Sequence, residues 1–122
     1  LIARFQDAGI RVSLFMDPDV EQIKYAADTG ADRIELYTEP YAETFGTDRQ
    51  GAVWEQFANA AESAVQSGLG VKAGQDLNLA NLAEFLRIPD ILEVSIGHAI
   101  VVESFDFGLE ETLRRYLGIV NR

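Results

Sequence analysis

The sequence contains no cysteine and only one histidine among its 122 residues. The absence of cysteine excludes disulfides, thiolate metal centres and cysteine nucleophiles from this chain, and a single histidine argues against a His-rich zinc site. Basic residues are also scarce, since ten Lys and Arg stand against twenty Asp and Glu and give a formal net charge of −10. This balance argues against nucleic acid or an anionic membrane as a general partner. A local anion site stays open, because backbone amides can form one without net positive charge.

Long apolar runs are missing as well. No run approaches the ~20 residues that span a bilayer, and no signal peptide opens the chain, so we expect a soluble, cytoplasmic domain with no membrane partner. Hydrophobic residues make up 48% and charged residues 25% of the chain, which is typical of one globular domain of this length. The first residues are predicted to be the end of a helix that Gly9 stops. We therefore expect a further N-terminal part before Leu1.

Short apolar strands alternate with helix-length segments along the whole chain. The predicted strands cover residues 11–16, 33–37, 70–73 and 91–96. The predicted helices cover residues 20–29, 52–67, 78–87, 99–104 and 109–117, and residues 38–49 are predicted to be a loop. Four β-α units in succession indicate parallel strands joined by right-handed crossovers.

Two closures fit this pattern: an open doubly wound sheet, or half of an eight-stranded β/α barrel, which takes ~250 residues in full. In the second strand Ile34 and Leu36 share one face and Glu35 lies on the other. In the fourth strand the alternation predicts that Leu92 faces the core and that Glu93 faces away from it. Strands buried on both faces of an open sheet usually read as continuous apolar runs, so polar residues on one face favour the barrel.

In either fold, functional residues belong at the carboxyl ends of the strands. Gly97 and His98 lie between the fourth strand and the next helix. Glycine allows close approach to a ligand, and the amides at a helix N-terminus favour phosphate. The segment therefore indicates a phosphate site, with a tight β-α turn that His98 caps as the alternative.

The polar face of the strands carries two carboxylates of interest. Glu35 is a candidate general acid or base, or alternatively the partner of Lys72 in a salt bridge. Glu93 is predicted to form a structural ion pair. Asp17 and Asp19 flank a proline just before a helix and are predicted to cap it.

Four segments, in order and at matching spacing, resemble the C-terminal half of the pyridoxine 5′-phosphate synthase family. They are GIRVSLFMDPD at 9–19, GADRIELYTEPYA at 30–42, AGQDLN at 73–78 and ILEVSIGHAI at 91–100. The resemblance covers nearly the whole chain. It implies a (β/α)8 TIM barrel, with residues 1–122 as the C-terminal half of a single domain that supplies about the last four β-α units.

The resemblance also implies an activity. Such enzymes condense 1-deoxy-D-xylulose 5-phosphate with 3-amino-2-oxopropyl phosphate and give pyridoxine 5′-phosphate, phosphate and water. They need no organic cofactor and no essential metal, and commonly assemble as octamers. By resemblance Glu35 assists proton transfer, while Gly97 and His98 hold a substrate phosphate. The other residues expected to contact substrate are Thr38, Glu39, Gly74 and Asp76.

Two positions depart from the family pattern. Gln75 stands where the family has a histidine that is thought to act as general acid, and an amide cannot shuttle protons near neutral pH. Lys72 stands where the family has an asparagine. These departures leave two other readings open. One is a phosphate-ligand-binding or structural homologue without catalysis; the other is a different phosphate-binding barrel, such as an isomerase or an aldolase that uses Lys72.

Overall fold

The computed structural model describes residues 1–121, and within them the chain forms one parallel four-stranded sheet. The strands, in spatial and chain order, are β1 (Ser13–Met16), β2 (Arg33–Tyr37), β3 (Gly70–Gly74) and β4 (Ile91–Ser95). The helices are α1 (Ile2–Asp7), α2 (Val20–Asp28), α3 (Glu39–Thr44), α4 (Gln50–Gln66), α5 (Leu82–Phe85), α6 (His98–Phe107) and α7 (Leu109–Val120). The predicted α/β class with parallel strands is confirmed. None of the helices in these residues has the length and apolar character that crossing a membrane requires.

One face of the sheet carries the hydrophobic core. Ile34 and Leu36 of β2 and Val71 of β3 are fully buried on this face, as strand alternation requires. Phe57 of α4 is fully buried in the same cluster, and α4 also packs on α2. The opposite face carries the polar side chains, so helices cover one side of the sheet and leave the other side to the candidate site.

Helix α2 begins at a side-chain cap. One carboxylate oxygen of Asp19 accepts hydrogen bonds from the backbone N–H groups of Glu21, at 3.0 Å, and Gln22, at 3.2 Å. These bonds satisfy two of the donors that the first turn of a helix leaves unpaired. The predicted capping role is therefore confirmed for Asp19. It is wrong for Asp17, which gives the helix no side-chain cap and lies on the cavity described below.

Two connections differ from the prediction. The segment predicted as a loop contains α3, which has Pro40 in its first turn, where the missing N–H of proline costs nothing. The helix predicted over 78–87 is shortened to α5. The residues before it form a turn in which the Asn78 side-chain oxygen accepts from the N–H groups of Ala80 and Asn81, each at 2.9 Å.

Strand β4 contains an irregularity that its sequence pattern does not predict. Val71 pairs with Ile91, but the next residue, Lys72, pairs with Glu93. Leu92 is the extra residue of a β-bulge. The prediction that Leu92 faces the core is therefore wrong. Its side chain is 59% exposed, whereas Ile91 and Val94 pack against the core.

The cap on α2 predicts a measurable stability difference. We expect Asp19→Ala to lower the free energy of unfolding by about 1 kcal/mol, because two backbone donors lose their acceptor. Asp19→Asn is the matched control, since it keeps a side-chain oxygen and should stay close to the parent. Urea unfolding of the three proteins measures the effect. Equal stability of the alanine and asparagine variants would contradict the capping role.

Candidate active site

A cavity of about 950 Å³ opens at the carboxyl ends of the four strands. Parallel pairing brings these ends to one edge of the sheet. The lining residues are Phe15, Met16, Asp17, Glu35, Tyr37, Gly74, Gln75, Asp76, Val94, Ser95, Ile96, Gly97 and His98. Of the residues predicted for the site, it therefore brings together Glu35, Gly74, Gln75, Asp76, Gly97 and His98. Nowhere in residues 1–121 do three His, Asp or Glu side chains converge as metal ligands would.

Glu35 is the buried carboxylate of this cavity. It is 7% exposed and accepts a hydrogen bond from the Ser95 hydroxyl at 3.0 Å. Gly74 lies between these two residues on the intervening strand. A Cβ at Gly74 would lie 3.2 Å from the Glu35 oxygen Oε1 and 3.1 Å from Ser95 Cβ. The absence of a side chain at Gly74 therefore leaves room for the pair.

The predicted salt bridge between Lys72 and Glu35 is wrong. Lys72 Nζ lies 3.4 Å from Glu93, and an Arg33 guanidinium nitrogen lies 3.4 Å from the other oxygen of the same carboxylate. The bulge places Glu93 opposite Lys72 on one side, whereas Glu35, which lies opposite Lys72 on the other side, accepts a hydrogen bond from Ser95 instead. The ion pair predicted for Glu93 is confirmed. Lys72 lies in a separate pocket of about 200 Å³ with Arg11, so the candidate cavity lacks the lysine that a Schiff-base aldolase would require.

Helix α6 begins at the rim of the cavity. Gly97 occupies its N-cap position, and no side chain within the described residues caps the helix. The N–H groups of a first turn have no intrahelical acceptor and carry the positive end of the helix dipole. The start of α6 thus differs from that of α2, where Asp19 already occupies the first-turn donors. Gly97 and His98 therefore lie at a helix start without a side-chain cap, on the same cavity as Glu35.

Two residues expected at the mouth of the cavity do not line it. Thr38 is fully buried, and its hydroxyl donates to the backbone oxygen of Gln75 at 2.6 Å. The carboxylate of Glu39 instead accepts a hydrogen bond from the Tyr37 hydroxyl. That bond is the main reason the pKa of Tyr37 rises to about 12, with burial as the next cause. The Tyr37 hydroxyl therefore keeps its proton to a higher pH than an ordinary tyrosine does.

The prediction from sequence missed the lining residues that β1 supplies, Phe15 and Met16, and Asp17 directly after it. Asp17 follows the last residue of β1, and the rule that placed function at strand ends already pointed to that position. The nearby proline made helix capping the preferred explanation. Phe15 is 76% exposed on the polar face of the sheet. Its alternation with the partly buried Leu14 and Met16 was the available signal.

All of residues 1–122 match the family described as pyridoxal phosphate biosynthesis protein PdxJ. The chain belongs to this family. Proteins named pyridoxine 5′-phosphate synthase are similar to it, at 53% identity over 121 residues in Xanthomonas campestris pv. campestris and 50% over 117 residues in Porphyromonas gingivalis. The resemblance found in the sequence is confirmed.

These PdxJ-family relatives are longer than the chain. The match covers 98% of the chain but 47% of the Xanthomonas protein, and 95% of the chain but 49% of the Porphyromonas protein. The chain therefore spans about half the length of the relatives it matches.

The hydrogen bond between Tyr37 and Glu39 predicts a pH-dependent signal. We expect Glu39→Gln to move the pKa of Tyr37 from about 12 toward the ordinary value of about 10. Glu43→Gln is the control, because Glu43 acts on Tyr37 through charge alone and should lower the pKa less. The titration of Tyr37 is measured by tyrosinate absorbance against pH, after the absorbance of the Tyr37→Phe protein has been subtracted.

The sign of the linked stability follows from the raised pKa. The bond stabilises the folded state fully below the unfolded value near 10 and loses that contribution as the pH rises toward 12. Equal pKa values in the Glu39→Gln and Glu43→Gln proteins would contradict the assigned cause.

Proposed function

We propose that this chain carries half of the active site of a pyridoxine 5′-phosphate synthase. Four further β-α units, in the remaining length of the relatives, would close its sheet into an eight-stranded barrel. The reaction joins 1-deoxy-D-xylulose 5-phosphate to 3-amino-2-oxopropyl phosphate and releases phosphate and water. Membership of the PdxJ family and the parallel sheet support this proposal. The homo-octamer and the cytoplasmic location stay predictions from the resemblance and the sequence.

The observation that carries the proposal is the pairing of a buried carboxylate with an uncapped helix start in one cavity. Glu35 supplies a group that can accept or donate a proton. Gly97 and His98 supply donors for a phosphate oxygen at the start of α6. Condensation of two phosphorylated substrates requires both functions, one to move protons and one to hold the phosphate away from the reacting carbons.

Ser95 fixes the direction of the Glu35 carboxylate. Its hydroxyl occupies Oε1, which leaves Oε2 for substrate. The cations on the same face of the sheet are engaged by Glu93, so they do not neutralise Glu35. Within residues 1–121 no ion pair engages the Glu35 carboxylate, so its second oxygen can act on a substrate as a general base or acid.

Gln75 weakens the catalytic version of the proposal. It lines the cavity at the position where the resemblance implies a histidine, and its amide can orient a substrate but cannot transfer a proton near neutral pH. This residue favours a second candidate function, the binding of a phosphorylated ligand without turnover. The two candidates differ in whether product forms, and both require the phosphate site at Gly97 and His98.

The catalytic proposal predicts a large effect at Glu35. In a polypeptide of the relatives' full length, we expect Glu35→Gln to lower kcat for pyridoxine 5′-phosphate formation by about 10²–10⁴, the usual loss for one acid-base group. Glu43→Gln removes the same charge from an exposed position on α3 outside the cavity and should leave kcat unchanged. Product formation under saturating substrates measures both. An unchanged kcat in Glu35→Gln would overturn the assigned role.

A second prediction separates enzyme from binding protein. We expect Gln75→His to raise kcat by about 10²–10⁴, because it restores an acid to a cavity that otherwise holds the required groups. Gln75→Asn is the control and should give no gain. Glutamine and histidine are both L-residues with an unbranched Cβ, so at a φ of 108° the exchange replaces one residue in an unfavourable conformation by another. A parent already as active as the histidine variant would show that the acid lies elsewhere, and product from neither protein would favour ligand binding alone.

A further inference from the structure

Residues 75 and 76 adopt a backbone conformation that L-amino acids avoid. The φ angle is 108° at Gln75 and 61° at Asp76, and neither residue is glycine. Two successive residues with positive φ are uncommon, because Cβ then crowds the backbone. Such a conformation persists only where surrounding contacts enforce it. Both side chains line the cavity, so the conformation determines what the cavity presents.

Three successive carbonyl groups in this segment bond back toward the core. The oxygen of Gly74 accepts from the backbone N–H of Thr38 at 3.1 Å, and the oxygen of Gln75 accepts from the Thr38 hydroxyl at 2.6 Å. The oxygen of Asp76 accepts from the side-chain amide of Asn81 at 3.2 Å. Carbonyl groups that point to the core fix the peptide planes, and the side chains of residues 75 and 76 then extend to the open side.

The two donor residues are themselves immobilised. Thr38 is 0% and Asn81 is 1% exposed. The side-chain oxygen of Asn81 accepts from the N–H of Asn78 at 2.8 Å, and its backbone oxygen accepts from the hydroxyl of the fully buried Tyr41 at 2.6 Å. Both the oxygen and the nitrogen of the Asn81 side-chain amide are thus hydrogen-bonded. A donor held in this way resists the relaxation that would otherwise return residues 75 and 76 to ordinary φ angles.

We propose that Thr38 and Asn81 are positioning residues, whose buried side chains hold residues 75 and 76 at positive φ and so direct the Gln75 and Asp76 side chains into the substrate cavity. The proposal rests on the proposed function, because it assumes that this cavity binds the substrates. It also changes the role of Thr38. The residue does not touch a ligand, because its hydroxyl lies behind the cavity and is already engaged.

The test compares Thr38→Val with Thr38→Ser in a polypeptide of the relatives' full length. Valine has nearly the shape of threonine but lacks the donor, whereas serine keeps it. We expect Thr38→Val to lower kcat/KM for pyridoxine 5′-phosphate formation by about 10- to 100-fold, as displaced substrate-positioning groups do. Thr38→Ser should stay near the parent. Equal activity of valine variant and parent would overturn the proposal.

A double-mutant cycle separates positioning from general damage. In a Gln75→Ala, Asp76→Ala background the two side chains that Thr38 positions are absent, so Thr38→Val should cost little further activity. A loss of the same size in both backgrounds would show that Thr38 acts through stability alone and would overturn the proposal. Thermal unfolding of each protein measures the change in stability that accompanies the change in activity.

A third measurement does not depend on turnover. Crystal structures of the parent, Thr38→Val and Asn81→Asp give the φ angles of residues 75 and 76 directly. We expect at least one of the two residues to leave the positive-φ region in each variant. Retention of both angles in both variants would overturn the proposal, even if the parent is active. A parent that forms no product while the variants lose these angles would remove the catalytic function and leave the positioning role standing.

Discussion

Parallel pairing of four strands in chain order is the constraint on which the rest of this structure depends. Each strand must return to the same edge before the next begins, so every crossover helix lies on one face and every carboxyl end lies at one edge. The core is therefore formed on the helical face by Ile34, Leu36 and Val71. The other face is left with polar side chains, and the cavity opens where the strands end.

The polar face separates its charges along the strands. Glu35 and Glu93 both lie opposite Lys72 in the register, but their carboxylates have different partners. That of Glu35 accepts from the neutral Ser95 toward the carboxyl ends, whereas that of Glu93 pairs with Lys72 and with Arg33 at the amino end of β2. The Glu93 side chain is half exposed, so solvent screens its attraction for the two cations, but at 3.4 Å it still pairs with both of them outside the cavity. The cavity therefore has an acidic residue on its floor and backbone donors at its rim, two environments that a phosphorylated substrate meets at different atoms.

Much of this arrangement could be predicted from the residues. The bounds of β2 follow from a clean alternation, and Asp19 follows from the chemistry of helix caps. Family resemblance pointed to Glu35, Gly97 and His98, which the structure brings to one cavity. What could not be predicted depends on contacts between distant segments. The partner of Lys72 follows from a bulge that no local pattern announces, and the burial of Thr38 follows from the conformation of residues 74–76.

The bulge at Leu92 decides which side chains of β4 face the cavity. In a strand with strict alternation, a shift of the pairing register by one residue turns every following side chain to the opposite face of the sheet. In β4 the extra residue absorbs such a slip before Glu93. The strand thus begins with Ile91 against the core and still ends with Ser95 directed at Glu35. Without the extra residue, strict alternation from Ile91 would turn Glu93 and Ser95 toward the helical face, and Glu35 would lose its hydrogen-bond donor.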